Sequence, residues 1–138
     1  MKTFIKKYFH VIVIFLVVAV IIYGYIDAKI NSEQLVRYPK YTIAIITSDW
    51  HHKNGRGFGV DYKYSVSGKV YDLTRDVKVK KGEKYLLIYD SVKPRNCLVL
   101  EMYPIPDSIE IPENGWQYAD VPIKIDSSKI KEHIENYK

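Results

Sequence analysis

The feature that most constrains this chain is the run VIVIFLVVAVII from Val11 to Ile22, in which eleven of twelve residues are Val, Ile, Leu or Phe. Uncharged residues extend it from Tyr8 to Ile26. So many β-branched residues would favour a strand in water. In hydrocarbon, a lone strand leaves its backbone N–H and C=O groups without partners, so a helix is the only solution. Nineteen helical residues span about 28 Å, close to the thickness of a bilayer core. The eleven large apolar side chains contribute about 3–7 kcal/mol toward insertion. Tyr8 and Phe9 at one end, with Tyr23 and Tyr25 at the other, are placed as interfacial aromatics.

A cleaved signal peptide shares the charged start but requires a small-x-small cleavage site. The best candidate here, Ile26-Asp27-Ala28, has a bulky residue where a small one is needed. The expectation is therefore an uncleaved membrane anchor. Lys2, Lys6 and Lys7 precede the run with no acidic residue among them, whereas Asp27, Lys29, Glu33 and Arg37 behind it are mixed in sign. That asymmetry predicts a single pass with the N-terminus inside and the remainder exported.

The same three lysines account for much of the basic character. Setting them aside from 21 basic residues leaves 18 against 16 acidic ones, all of them beyond residue 26. A nucleic-acid partner thereby loses its electrostatic argument. The single Cys97 has no partner for an internal disulfide, and its setting in NCLVL reads as a small core residue.

The expected organisation is a cytoplasmic start (1–7), a transmembrane helix (8–26), a juxtamembrane stalk with a helical fringe (27–40), a small β-domain (41–102), a Pro-rich extended arm (103–126) and a short helix or tail (127–138). The first strand is read in YTIAIITS, followed by a loop from Asp49 to Gly57. Phe58, Val60, Tyr62, Tyr64 and Val66 then alternate with Gly59, Asp61, Lys63 and Ser65, the period of a half-buried strand. Ser67-Gly68 fits a two-residue hairpin turn pairing Val66 with Lys69, Tyr64 with Tyr71 and Tyr62 with Leu73. Val77 and Val79 alternate with Lys78 and Lys80, reading as a lysine-protected edge strand; Lys81-Gly82 turns the chain into a buried strand around Tyr85–Tyr89, and CLVLEM supplies another.

Five or six short strands with brief turns predict a mainly β fold: an N-terminal transmembrane helix, then a small antiparallel β-barrel or curled sheet of the SH3- or OB-like kind. Pro104, Pro106, Pro112 and Pro122 exclude regular pairing beyond Tyr103, so that arm is expected to lie along the barrel. In SSKIKEHIENYK, Ile130, Ile134 and Tyr137 share one helical face behind a capping Ser.

Candidate sites are few. Asp49, His51 and His52 are the metal or catalytic candidates, but adjacent residues on extended chain point to opposite faces, and no H-x-H, HExxH or CxxC spacing recruits further ligands. Lys53 and Arg56 beside them suit an anion or a partner better than a cation. Gly55, Gly57 and Gly59 lead into a strand, which denies them the helix N-terminus of a phosphate cradle. Tyr62, Tyr64 and Tyr71 share a face in the hairpin register, either as core or as an aromatic strip for a partner. No cofactor is expected.

The stretches YKYSVSGKVYDLTRDVKVKKGEKYLLIYDSVKPRN and PIPDSIEIPENGW resemble a group of small bacterial membrane-anchored proteins without an assigned activity. The resemblance rests on a Y-x-V-x-G-K hairpin, a V-x-x-G-x-x-Y turn and strand, and the Pro-containing loop. It implies a β-domain on a membrane anchor and carries over no catalytic residue. The first expectation is accordingly a non-catalytic envelope protein whose exported domain contacts a protein or the cell wall. A membrane-tethered enzyme or metal-binding protein using Asp49, His51 and His52 is the alternative, and an immunity or accessory protein for a secreted effector is a third.

Overall fold

The computed structural model describes residues 2–55 and 57–137, with side chains from residue 6 onward. Its first element, α1 (Lys2–Arg37), is one unbroken helix of 36 residues, about 54 Å long. It is long and apolar enough to cross a membrane. The large apolar side chains from Val11 to Ile26 are exposed. The polar stretch expected as a stalk simply continues the helix, with Asn31 bonding back to Asp27 and Ser32 to the carbonyl of Ala28. The helix stops where Pro39 disfavours α conformation for Tyr38. Its last turns are built into the domain, for Leu35 is 4% exposed in an apolar cluster with residues of the sheet.

Six antiparallel strands follow: β1 (Pro39–Ile46), β2 (His51–Lys53), β3 (Gly57–Val66), β4 (Lys69–Arg75), β5 (Lys84–Asp90) and β6 (Cys97–Pro104). β1 lies between β3 and β5; β6 flanks β5, β4 flanks β3, and the short β2 also pairs with β3. The sheet curls into a half-barrel. The β3–β4 hairpin has the register read from the sequence, with Val66 opposite Lys69, Tyr64 opposite Tyr71 and Tyr62 opposite Leu73. Its turn places Ser67 at φ 50° and Gly68 at φ 78°, the two positive values of a type I′ turn, whose twist matches that of paired strands.

Both faces of the central strands are covered, which is why β5 is buried nearly throughout. Tyr85, Leu87 and Tyr89 of β5 point to the inner face with Ala44, Tyr62, Tyr64, Cys97 and Val99. Leu86 and Ile88 point outward beneath Leu35, Ile130 and Ile134. These last two belong to α2 (Ser127–Asn136), capped by the carboxylate of Asp126, which accepts from the Ser128 N–H, and not by the serine expected. α2 runs antiparallel to the end of α1. Ile130 and Lys131 share a groove with Val36, Ile134 and Glu135 share one with Ser32 and Glu33, and Tyr137 shares one with Ala28 and Asn31.

The stretch 77–80 differs from the sequence reading. Residues 77–80 form no strand, although Val77 is buried and Val79 packs on the inner core. The alternation records which side chains face inward; a ladder also requires a partner backbone, and here Lys78 N–H donates to the Glu101 carboxylate instead. The Pro-rich arm packs Ile105, Ile109, Trp116, Val121, Ile123 and Ile125 against the outer cluster. It is tied to β1 by a bridge in which Tyr41 and Trp116 exchange backbone hydrogen bonds of 2.9 and 2.7 Å, and by Lys40 Nζ, which donates to the Asn114 carbonyl at 3.2 Å.

Candidate functional site

The histidine-bearing segment expected as a loop is β2, paired with the start of β3 through His51 with Gly59, His52 with Phe58 and Lys53 with Gly57. Glycine is required at 59, where φ is +139° and a Cβ would stand 2.2 Å from the carbonyl oxygen of Arg75. Strand alternation then separates the two histidines.

His51 and Lys53 face Asp61. Lys53 Nζ lies 2.9 Å from the Asp61 carboxylate and donates to Thr74 Oγ1 at 2.7 Å, while His51 Nε2 is 3.5 Å from the other carboxylate oxygen. The Thr74 hydroxyl also donates to Asp61. These bonds hold the Asp61 carboxyl below its ordinary pKa, Thr74 contributing most and Lys53 next. His51 Nδ1 lies 2.9 Å from the carbonyl oxygen of Asp49 and 3.3 Å from Ser48 Oγ. Asp49 therefore meets His51 through its backbone. The charges of this cluster are satisfied internally, which leaves Lys53 already paired and not free for an anion. Arg56 lies outside the described residues. Among the described residues, no three His, Cys, Asp or Glu side chains are grouped to hold a metal ion.

His52 points the other way, into an exposed aromatic cluster. Its ring lies 5.1 Å from that of Trp50 and 5.9 Å from that of Phe58, and Trp50 and Phe58 are 5.8 Å apart. Trp50 is 50% and Phe58 49% exposed. The indole N–H donates to the Asp76 carboxylate at 3.0 Å, which fixes the ring outside the domain. The sequence reading missed this cluster and assigned Phe58 to the inward face with Val60 and Tyr62. Its position in the alternation is right, but at Gly57 and Phe58 β3 has passed beyond the core, where it pairs with β2. A tryptophan in an otherwise polar segment was the available signal.

The tyrosine strip is core. Tyr62 and Tyr64 are buried and Tyr71 is half-buried. Tyr64 stacks on Tyr62 at 6.1 Å. The Tyr64 hydroxyl donates to the Pro94 carbonyl at 2.7 Å, and that of Tyr62 lies 3.5 Å from Cys97 Sγ. Burial raises the pKa of both phenols and of the Cys97 thiol. Burial thus withdraws Tyr62 and Tyr64 as contact residues for a partner, and leaves Tyr71, with Lys69 Nζ 5.2 Å from its ring centroid, at the margin. Comparison with known proteins brings no match: no family model, no curated protein and no solved structure is similar to this chain.

Proposed function

We propose that this is a single-pass membrane protein, N-terminus inside, whose exported β-domain acts by contacting a protein or the cell wall and not by catalysis. One observation carries the reading. A single unbroken helix is apolar and exposed from Val11 to Ile26, yet the same helix enters the domain core at Leu35. A helix of that kind holds the domain at a fixed height, with only about 16 Å of helix beyond Ile26. The lysines before the apolar run supply the orientation. The internally paired Asp61 cluster supports a non-catalytic role, because its basic groups are already engaged.

The test is a topology experiment on the full chain. It should resist alkaline extraction from membranes, and a C-terminal tag should be digested by protease added outside intact spheroplasts while a tag before Lys2 is protected. Extraction into the soluble fraction, or the reverse protection pattern, overturns the reading.

A further inference from the structure

We infer that the β2–β3 hairpin is a second membrane contact, with Trp50, His52 and Phe58 seated in the interface of the bilayer that α1 crosses; this rests on the anchor reading above. The position of the cluster follows from a chain of contacts referred to α1. Ser91 N–H bonds the Tyr38 carbonyl near the end of the helix, and Asn96 Nδ2 bonds the Asn31 carbonyl at 2.7 Å, about two turns nearer the apolar run. Arg75 and Tyr137 line a groove with Ala28, Asn31, Ser32 and Leu35 of α1. The Tyr137 hydroxyl donates to the Asp76 carbonyl, and the carboxylate of that same Asp76 holds the indole of Trp50. Trp50 is thus linked through Asp76 and Tyr137 to the level of α1 between Ala28 and Leu35, which begins two residues past the last apolar residue of the run, Ile26. Indole and phenyl rings exposed at that level match the interfacial preference of aromatic side chains, which present an apolar body to the acyl boundary and a polar edge to headgroups. A bilayer is the occupant because, on the anchor reading, it surrounds α1 up to Ile26, just before this stretch begins. Holding the domain at two points also sets its rotation about the helix axis, which one helix alone does not.

Trp116, the other tryptophan of the chain, is an internal control. It is tied to Tyr41, which lines a groove with Val36 and Pro39, beyond the stretch of α1 that lines the Tyr137 groove. The full chain, as wild type, Trp50→Phe and Trp116→Phe, should be reconstituted in phosphatidylcholine vesicles containing a phosphatidylcholine brominated high on its acyl chains. Trp116→Phe, which reports Trp50, should be quenched several-fold more strongly than Trp50→Phe, and the wild type should fall between them. The pair of wild type and Trp50→Phe changes only an exposed side chain, so it decides the matter even if Trp116→Phe folds poorly. Equal quenching of Trp50 and Trp116 in vesicles that retain the chain through alkaline extraction overturns the hairpin contact and leaves the anchor standing. Loss of the chain on extraction overturns the anchor, and this inference with it.

Discussion

Tyr64 and Tyr71 face each other across the β3–β4 hairpin with their rings 5.1 Å apart and within 10° of parallel. The pair exists because the turn at Ser67-Gly68 sets the register, and it joins the margin of the sheet to the inner core through Tyr62. Shifting the register by one residue would carry the whole tyrosine face to solvent.

The turn is therefore the first place to test the fold. Gly68 has open space around it, so a side chain there meets only the penalty of φ +78°. Gly68→Val should cost about 1–3 kcal/mol. Lys63→Val, which removes a 3.7 Å ion pair to Asp72 between side chains about half exposed, should stay within about 0.5 kcal/mol. Urea melts of the full chain in detergent, followed by tryptophan fluorescence, compare the two, and equal effects would contradict the turn assignment.

Gly59 and Gly115 are constrained by contact as well as by backbone angle. A Cβ at 115 would stand 2.1 Å from the Tyr89 hydroxyl oxygen, and the one at 59 strikes backbone that cannot swing away. Gly59→Ala should cost about 2–4 kcal/mol and exceed both Gly115→Ala, where a side chain can move, and Gly68→Ala. The same melts rank the three variants, and a Gly59→Ala loss no larger than that of Gly68→Ala would show that β4 does not approach β3 so closely.

His51 and His52 should matter little to stability, whereas Asp61 should matter more. Replacing both histidines with Ala removes a partly exposed contact with Asp61 and exposed ring contacts, for an expected change below about 1 kcal/mol. Asp61→Ala leaves Lys53 and Thr74 without their shared acceptor and should cost about 1–3 kcal/mol. Addition of a chelator should shift neither melt. A chelator-dependent loss in the wild type would restore the metal reading of Asp49, His51 and His52.

Stability should fall at both ends of the pH scale. The Asp61 carboxyl is lowered in the folded state, so its contribution is present above the ordinary carboxylate pKa near 4 and is lost as pH falls through the folded value. The phenol of Tyr41 is pushed up to about 12 by burial, and that of Tyr85 to about 12 by its bond to Glu83; Tyr62 and Tyr64 are raised too. Their contribution is present below the ordinary phenol pKa near 10 and is lost as pH rises beyond it. Thermal melts across pH should show a plateau between these limits. Asp61→Asn should flatten the acid arm alone, and a plateau extending unchanged above pH 10 would contradict the buried tyrosines.

What the sequence determined by itself was whatever a local pattern enforces. The apolar run dictated a helix, the strict alternation around Tyr62 and Tyr64 dictated a strand, and Ser67-Gly68 dictated the turn and with it the register. The helical spacing of Ile130 and Ile134 identified the buried face of α2. The tertiary structure decided whatever depends on a neighbour. Val77–Lys80 carries a strand pattern but has no ladder, because alternation specifies sidedness and hydrogen bonding requires a second backbone. His51–Lys53 lacks a strand pattern but has a ladder, because the start of β3 lies beside it. Leu35 became core because α2 and the outer face of the sheet enclose it. Phe58, in register with buried residues, is exposed because the core ends before its position, and Trp50 joins it there because Asp76, distant in sequence, holds its indole.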